Sequence, residues 1–219
     1  HGWKLHCIDS QSGQKVWDYS FLGLAPLIAD GRAVSVNYFD NRIYCFGTGP
    51  TATTVNVSPK VVTECQSVLI EGAVTDQSPG AKGTGAIAEA YMSEWMEHIY
   101  QQRPEPDNTM GVTVKLLAHP EEDWSAAIEI GTAECDRDGN FNYLWTPTQS
   151  GCFEIEAVFE GTASYGESSG ETQIAIQAAA EPSNEPSTNG TSNDTLLIIG
   201  AIAIVLMILV LVVLLLKKK

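Results

Sequence analysis

Residues 138–161 read DGNFNYLWTPTQSGCFEIEAVFEG, and this stretch decides the fold. It opens on a turn, after which the aromatic side chains Phe141, Tyr143 and Trp145 fall on one face of an extended segment. Apolar side chains then alternate with mostly charged ones over 153–160. This period of two is typical of antiparallel strands with one face on a core and the other in solvent. The stretch therefore predicts strands of a β-sandwich.

The same alternation extends outward along the chain in both directions. It recurs over 66–75 and 112–117, and it returns at Ile174 and Ile176. Because all of these segments share the period of two, we expect them to form one antiparallel sandwich over residues 55–178.

One segment departs from the alternation. Between residues 86 and 103, apolar side chains recur every three to five positions, as in an amphipathic helix, and Pro104 follows. The sequence therefore predicts one helical insertion, 86–103, in an otherwise all-β fold. Two roles are open for this helix. It either caps the sandwich or docks on the propeller, or it presents an aromatic and methionine-rich face to a partner.

The quoted stretch resembles the immunoglobulin-like repeats of bacterial and archaeal surface proteins, which carry a D-x-x-G-N-F-x-x-x-W-T-P…G-x-Y/F-x-I-x-A-x-F pattern. This resemblance implies an immunoglobulin-like β-sandwich at a cell surface, and it implies no activity. In such a topology the loops that carry Cys65 and Cys152 share one end. A Cys65–Cys152 disulfide is therefore one hypothesis for an oxidising exterior, with Cys135 as the free thiol.

Residues 1–48 carry short candidate strands separated by Asp-Gly and Asp-Asn turns. The segment LHCID at 5–9 is echoed by IYCFG at 43–47, an offset of 38 residues. A period near 40 with four short strands fits one blade of a β-propeller. Because a single blade cannot bury both of its faces, we expect neighbouring blades upstream of His1.

The segment CIDSQSGQKVW, which ends at Trp17, resembles the tryptophan-docking motif of quinoprotein-type (PQQ-like) propellers, A-x-D-x-x-T-G-x-x-x-W. Asp9, Gly13 and Trp17 match this motif. Cys7 and Ser12 replace its Ala and Thr. The resemblance implies that Asp9 and Gly13 shape a tight turn and that Trp17 packs between adjacent blades. Because the second copy lacks the motif, we interpret this region as the C-terminal end of a propeller, its last blade or blades.

The C-terminal run 196–216 is apolar and uncharged, and three lysines, 217–219, follow it. At 1.5 Å per residue the run spans about 31 Å, close to the ~30 Å hydrocarbon core of a bilayer. We therefore predict a single transmembrane helix, with the basic tail in the cytoplasm and the N-terminal region outside the cell. A buried core helix and a cleaved glycolipid-anchor signal are the alternatives.

Residues 179–195 are rich in Pro, Ser, Thr and Asn, and they hold almost no apolar side chains. Such a composition cannot bury enough surface to fold, so we expect a disordered stalk between the β-rich region and the membrane. Asn189 and Asn193 open glycosylation triplets in this stalk, and Asn56 opens a third in the sandwich region.

Charge and cysteine spacing disfavour several classes of function. The 219 residues carry a formal net charge of −15, which argues against binding to nucleic acid phosphates. The five cysteines and four histidines show neither a C-x-x-C pair nor zinc-ligand spacing. The segment Asp136–Asn140 resembles half of a calcium loop but lacks the closing Glu. Since no nucleophile motif is present either, we expect no catalytic, cofactor-binding or metal-binding residues.

Together these patterns predict an all-β fold, with a terminal β-propeller blade, an immunoglobulin-like β-sandwich with one helical insertion, and a single transmembrane helix. We expect a membrane-anchored extracellular binding or scaffold protein of an archaeal or bacterial cell envelope, without enzymatic activity. Its expected partners are the lipid bilayer and a protein or glycan at the cell surface. The alternatives are a membrane-tethered quinoprotein oxidoreductase whose active site lies upstream, and a structural surface-layer or adhesion protein.

Overall fold

The computed structural model describes residues 3–180. In this range the chain is mainly β-structure, with one α-helix, α1, at Met92–Gln101. The N-terminal strands are β1 (Lys4–Ile8), β2 (Lys15–Ser20), β3 (Leu27–Ala29), β4 (Arg32–Asn37) and β5 (Arg42–Phe46). The strands that follow are β6 (Thr51–Ser58), β7 (Val61–Thr63), β8 (Val68–Asp76), β9 (Thr113–Pro120), β10 (Ile128–Glu134), β11 (Asn140–Trp145), β12 (Gly151–Phe159) and β13 (Ser168–Gln177). The predicted all-β class is therefore confirmed.

Several predicted features lie outside the described residues. They are the stalk residues 181–195, the transmembrane helix at 196–216, the basic tail at 217–219, and the glycosylation triplets at Asn189 and Asn193. Among residues 3–180, no helix is both long and apolar enough to span a bilayer.

Strands β6 to β13 form a two-sheet sandwich. One sheet has the strand order β6-β8-β11, and the other has the order β10-β9-β12-β13-β7. The first strand of the sandwich is split, because β6 pairs with β8 while β7 crosses to the other sheet and pairs in parallel with β13. When β6 and β7 are counted as one split strand, β6, β8 and β11 are the first, second and fifth strands of the sandwich, and they share one sheet. This is the arrangement of immunoglobulin-like Greek-key sandwiches. The predicted immunoglobulin-like β-sandwich is confirmed by this strand order.

The sandwich core is built from alternating side chains of the two facing sheets. Every second residue of β12, from Phe153 to Phe159, is buried, while the residues between them face outward. Leu116 on β9 and Ile155 on β12 are fully buried at its centre. A buried side chain of this size contributes about 1.5–3 kcal/mol, so this shared core is the main source of stability for the sandwich.

The N-terminal strands form two small sheets that lie face to face. Strands β1 and β2 pair in one antiparallel hairpin, and β3, β4 and β5 form a three-stranded antiparallel sheet. Trp17 on β2 stacks on Phe46 of β5 with ring centroids 5.5 Å apart, and Tyr19 lies 5.5 Å from Tyr44. Because the two sheets stack through their faces, they do not pair edge to edge. The described residues therefore do not show the predicted four-stranded propeller blade.

The helix α1 docks on the N-terminal hairpin. The backbone amide of Asp18 donates to Oγ of Ser93 over 2.8 Å. The amide and hydroxyl of Ser20 both donate to Oε1 of Glu97, over 3.1 and 2.5 Å. The side-chain amide of Gln101 donates to the carbonyl oxygen of Ser20 over 2.7 Å. These contacts show that α1 docks on the N-terminal hairpin, whereas the propeller that the sequence predicts as its partner is not shown by residues 3–180.

The helix is shorter than the segment predicted from the sequence. One turn of 3-10 helix, Glu89–Tyr91, precedes α1, and Gln102 follows α1 with a left-handed φ of 57°. Ala86 and Ile87 are extended instead, because the Ala86 amide bonds to β8 and Ile87 forms a bridge with Gly111. Pairing with neighbouring strands therefore removes the first residues of the predicted segment from the helix.

We expect Glu97→Ala to loosen the attachment of the hairpin to α1. The substitution removes the acceptor of two hydrogen bonds from Ser20, and bonds to a charged group contribute about 1.5–3 kcal/mol each. Native-state hydrogen exchange at the Ser20 amide should accelerate at least about tenfold. Glu94→Ala is the matched control, because Glu94 is an exposed glutamate of the same helix. Equal hydrogen-exchange rates of the Ser20 amide in the two variants would contradict the docking of the hairpin on α1.

Candidate ligand-binding site on the sandwich

A cavity of about 340 Å³ opens on the outer face of the five-stranded sheet. Outward residues of β9, β12 and β13 line the cavity, and Phe153 and Ile174, which belong to the core, border it as well. The loop between β9 and β10 and the residue before β7 complete its walls. The side chains that give the cavity its chemistry are Lys60, His119, Glu121, Trp124, Glu154 and Gln173.

An aromatic pair forms one wall of the cavity. The indole of Trp124 lies flat on the imidazole of His119, with ring centroids 3.9 Å apart and planes within 6° of each other. The side chain of His119 is thereby buried, at 5% exposed, whereas Trp124 remains 49% exposed. Trp124 therefore presents an accessible aromatic surface on a buried support.

Two hydrogen bonds hold the imidazole of His119 in place. Its Nδ1 lies 3.0 Å from the carbonyl oxygen of Trp124, and its Nε2 lies 3.0 Å from Oε2 of Glu156 on β12. Both partners are acceptor oxygens, and the tautomer of the imidazole decides which ring nitrogen donates. The imidazole therefore joins the loop to the sheet, with both of its nitrogens occupied.

The loop between β9 and β10 folds back over the sheet. The amide of Glu121 donates to the carbonyl oxygen of Cys152, which ties the start of the loop to β12. The carboxylate of Asp123 accepts bonds from the hydroxyl and amide of Ser125 over 2.6 and 3.0 Å, and these bonds lower the pKa of Asp123. This turn fixes the backbone that carries Trp124.

Charged groups of both signs lie at the cavity. Lys60 supplies an ammonium group, whose Nζ lies 3.3 Å from the hydroxyl of Thr172. Glu121 and Glu154 supply carboxylates. Beside the cavity, burial raises the pKa of the Glu171 carboxyl group, and the neighbouring Glu154 carboxylate adds to the rise. The cavity therefore offers charged donors and acceptors within one small volume.

The predicted docking motif lies elsewhere, in the hairpin of β1 and β2. Oδ1 of Asp9 accepts hydrogen bonds from the amide and the hydroxyl of Ser12, which lower the pKa of Asp9. Gly13 takes a left-handed φ of 70° in the same turn. Trp17 packs on β5, so these residues build the turn and the contact between the two N-terminal sheets. None of them borders the cavity.

The structure does not join Cys65 to Cys152, because both are free and exposed thiols. Cys152 points outward from β12 into the cavity, whereas Cys65 lies in the turn that leads from β7 to the opposite sheet. The Cys65–Cys152 disulfide stays a prediction for an oxidising exterior. Cys135 is a free thiol as well, and burial raises its pKa to about 12.

The remaining predicted sites are exposed or serve turns. Asn56 is exposed on β6. Oδ1 of Asp136 accepts the backbone amides of Asp138 and Asn140, so this carboxylate stabilises the turn before β11. Within the described range 3–180, no group of three or more His, Cys, Asp and Glu side chains is arranged to hold a metal ion.

Apart from Cys152, no residue of the cavity is predicted as a site from the sequence. One signal in the sequence points to it, namely a tryptophan at the end of the acidic segment EEDW, 121–124. A large aromatic side chain in a polar loop needs either a packing partner or a ligand, and here the partner is His119.

The solved structures that are similar to part of this chain include the two that follow. The CARDB domain of the PF1109 protein from Pyrococcus furiosus, solved in complex with di-metal ions, is 13% identical over 60% of this chain and 96% of that chain, with a TM-score of 0.30. The fibronectin(III)-like modules of Clostridium thermocellum CbhA are 16% identical over 68% of this chain and 61% of that chain, with a TM-score of 0.35. No protein-family model matches the sequence, and no curated protein matches it. Because each TM-score is below 0.5, the immunoglobulin-like assignment rests on the strand order of this chain.

Proposed function

We propose that this chain is a membrane-anchored binding and scaffold protein on the outer side of a cell envelope, without catalytic activity in this region. The observation that carries the proposal is the cavity on the outer sheet face, with its fixed wall of His119 and Trp124. Such a wall is suited to binding, because side chains that are already held in place lose little conformational entropy when a ligand arrives.

The anchoring part of the proposal is supported by the sequence after the sandwich. The apolar run 196–216 has the length of a membrane-spanning helix, and the lysines 217–219 favour a cytoplasmic end. A net charge of −15 also suits a well-solvated exterior surface.

The scaffold part of the proposal is supported by an uncovered sheet face. On β3, β4 and β5, most of the side chains that point away from the hairpin are apolar, and Leu27 is 80%, Ile43 75% and Val36 39% exposed. A contiguous apolar face of this kind normally packs against another layer of structure. We therefore propose that a further propeller-type sheet covers it, in the same way that the β1–β2 hairpin covers the opposite face.

Thiol labelling on intact cells tests both parts together. Cys65 is exposed on the sandwich, and Cys45 is exposed on the apolar face of β5. After mild reduction, a membrane-impermeant maleimide should label Cys65 and leave Cys45 unlabelled, and alkaline carbonate should not extract the chain from membranes. Labelling of Cys65 only after lysis would overturn the exterior location. Equal labelling of Cys65 and Cys45 would overturn the proposal that a further sheet covers the apolar face.

A further inference from the structure

The indole of Trp124 gives the cavity a flat apolar wall. One side of the ring rests on His119 at a centroid distance of 3.9 Å, yet the residue is still 49% exposed. Leaving apolar surface in water is unfavourable, and a ligand that covers the ring recovers this free energy. The ligand therefore needs a flat apolar face of its own.

Polar residues surround this wall. Lys60 brings an ammonium group, and Glu121 and Glu154 bring carboxylates, so the lining holds both hydrogen-bond donors and acceptors. Gln173, exposed on β13, both donates and accepts hydrogen bonds through its side-chain amide. The lining therefore suits a ligand that carries several hydroxyl groups, since a hydroxyl group both donates and accepts hydrogen bonds.

We infer that this cavity binds a neutral carbohydrate, with the C–H face of one pyranose ring on Trp124 and its hydroxyl groups bonded to Lys60, Glu154 and Gln173. A pyranose ring combines an apolar face with a polar edge, which is the combination that the cavity offers. The volume of about 340 Å³ lies near the lower end of ligand pockets, about 300–1,000 Å³, so one or two sugar units of a glycan fit. This inference rests on the proposed binding function and names its ligand class.

The test uses the full chain, held in a detergent whose head group contains no sugar. It is titrated with neutral oligosaccharides of glucose, galactose, mannose and N-acetylglucosamine. Binding should change the tryptophan fluorescence and should protect Cys152 from maleimide, because this thiol lies in the cavity. Cys65 is the internal reference, because it is exposed outside the cavity and its labelling should not change.

Two tryptophan variants locate the binding site. Trp124→Ala should weaken sugar binding at least about tenfold, because aromatic side chains at the centre of a site carry a large share of the affinity. Trp3→Ala is the matched control, since Trp3 is 68% exposed and lies outside the cavity, and this variant should bind like the original chain. Equal unfolding temperatures of the two variants confirm that both are folded.

The outcomes separate the ligand class from the binding function. Equal sugar affinity of the two variants, or sugar binding that leaves Cys152 open to maleimide, would overturn the assigned site. Protection of Cys152 by tetramethylammonium or by a lysine-rich peptide, with no protection by any sugar, would overturn the carbohydrate class and leave the binding function standing. Protection by none of these probes would overturn the inference and remove the main support for binding.

Discussion

Replacing Leu116 with alanine should lower the free energy of unfolding of the sandwich by about 3–5 kcal/mol. Leu116 is fully buried in the core cluster, on a strand that pairs with both β10 and β12. Because β9 is held on both sides, the surrounding backbone cannot close the space left by the lost methyl groups. The expected loss is a large fraction of the roughly 5–15 kcal/mol that stabilises a typical domain, so this variant should unfold at much lower denaturant concentration.

Leu144→Ala is the matched control for this prediction. It removes the same atoms, but Leu144 is 67% exposed on the outer side of β11. We expect its free energy of unfolding to change by no more than about 0.5 kcal/mol. Denaturant unfolding followed by tryptophan fluorescence measures both variants. Similar losses in the two would show that β9 does not bury Leu116 between the sheets.

The second large effect is expected for Gly139→Ala, in the turn before β11. Gly139 has a φ of +85°, and a Cβ added there would lie 2.2 Å from the carbonyl oxygen of Val74 on β8. It would also lie 2.9 Å from the Cα of Gly85. Because both obstacles are backbone atoms, they move only if the pairing around β8 is disturbed. We expect a loss of about 2–5 kcal/mol, the sum of the left-handed backbone strain and the overpacking.

Gly83→Ala separates these two contributions. Gly83 has a similar φ of +88°, but nothing lies within 4 Å of the position that its Cβ would take. In the same unfolding measurement, Gly83→Ala should therefore lower the free energy of unfolding only by the strain of the left-handed backbone, about 1–2 kcal/mol. Equal losses in the two variants would mean that the turn at Gly139 has room for a side chain, contrary to the described contact with Val74.

The alternation of apolar and charged residues was sufficient to predict β12 and the face that it buries. The reason is that the period of a strand decides locally which side chains share a face, from Phe153 to Phe159. The pairing of β7 with β13 could not be predicted in this way. It joins Val62 to Ile176, which are distant in the sequence, and depends on the chain crossing between sheets after β6.

The direction of the Cys152 side chain is decided locally. An immunoglobulin-like topology places two loops at one end, but it does not decide which way a thiol points. Because Phe153 is buried, its neighbour Cys152 faces outward from β12 and borders the cavity. The same period of two that predicted the strand contained this information.

The cavity depends on tertiary structure that no sequence pattern specifies. By the alternation of β9, His119 is one outward residue among several, and Trp124 lies in an acidic loop. Only the return of that loop over the sheet, fixed by the turn at Asp123, brings the two rings together. Residue types alone therefore indicate neither the aromatic wall nor the polar groups around it.

The position of β13 has a mechanical consequence. This strand is not at an edge, because it lies between β12 and β7 in its sheet. Tension that enters at Gln177 runs along the strand, so the hydrogen bonds to both neighbours are loaded in shear and share the force. A strand at the edge of the sheet has only one neighbour to share that load. The sandwich should therefore resist a force on its carboxyl-terminal end better than the short pairing of β13 with β7 would allow by itself.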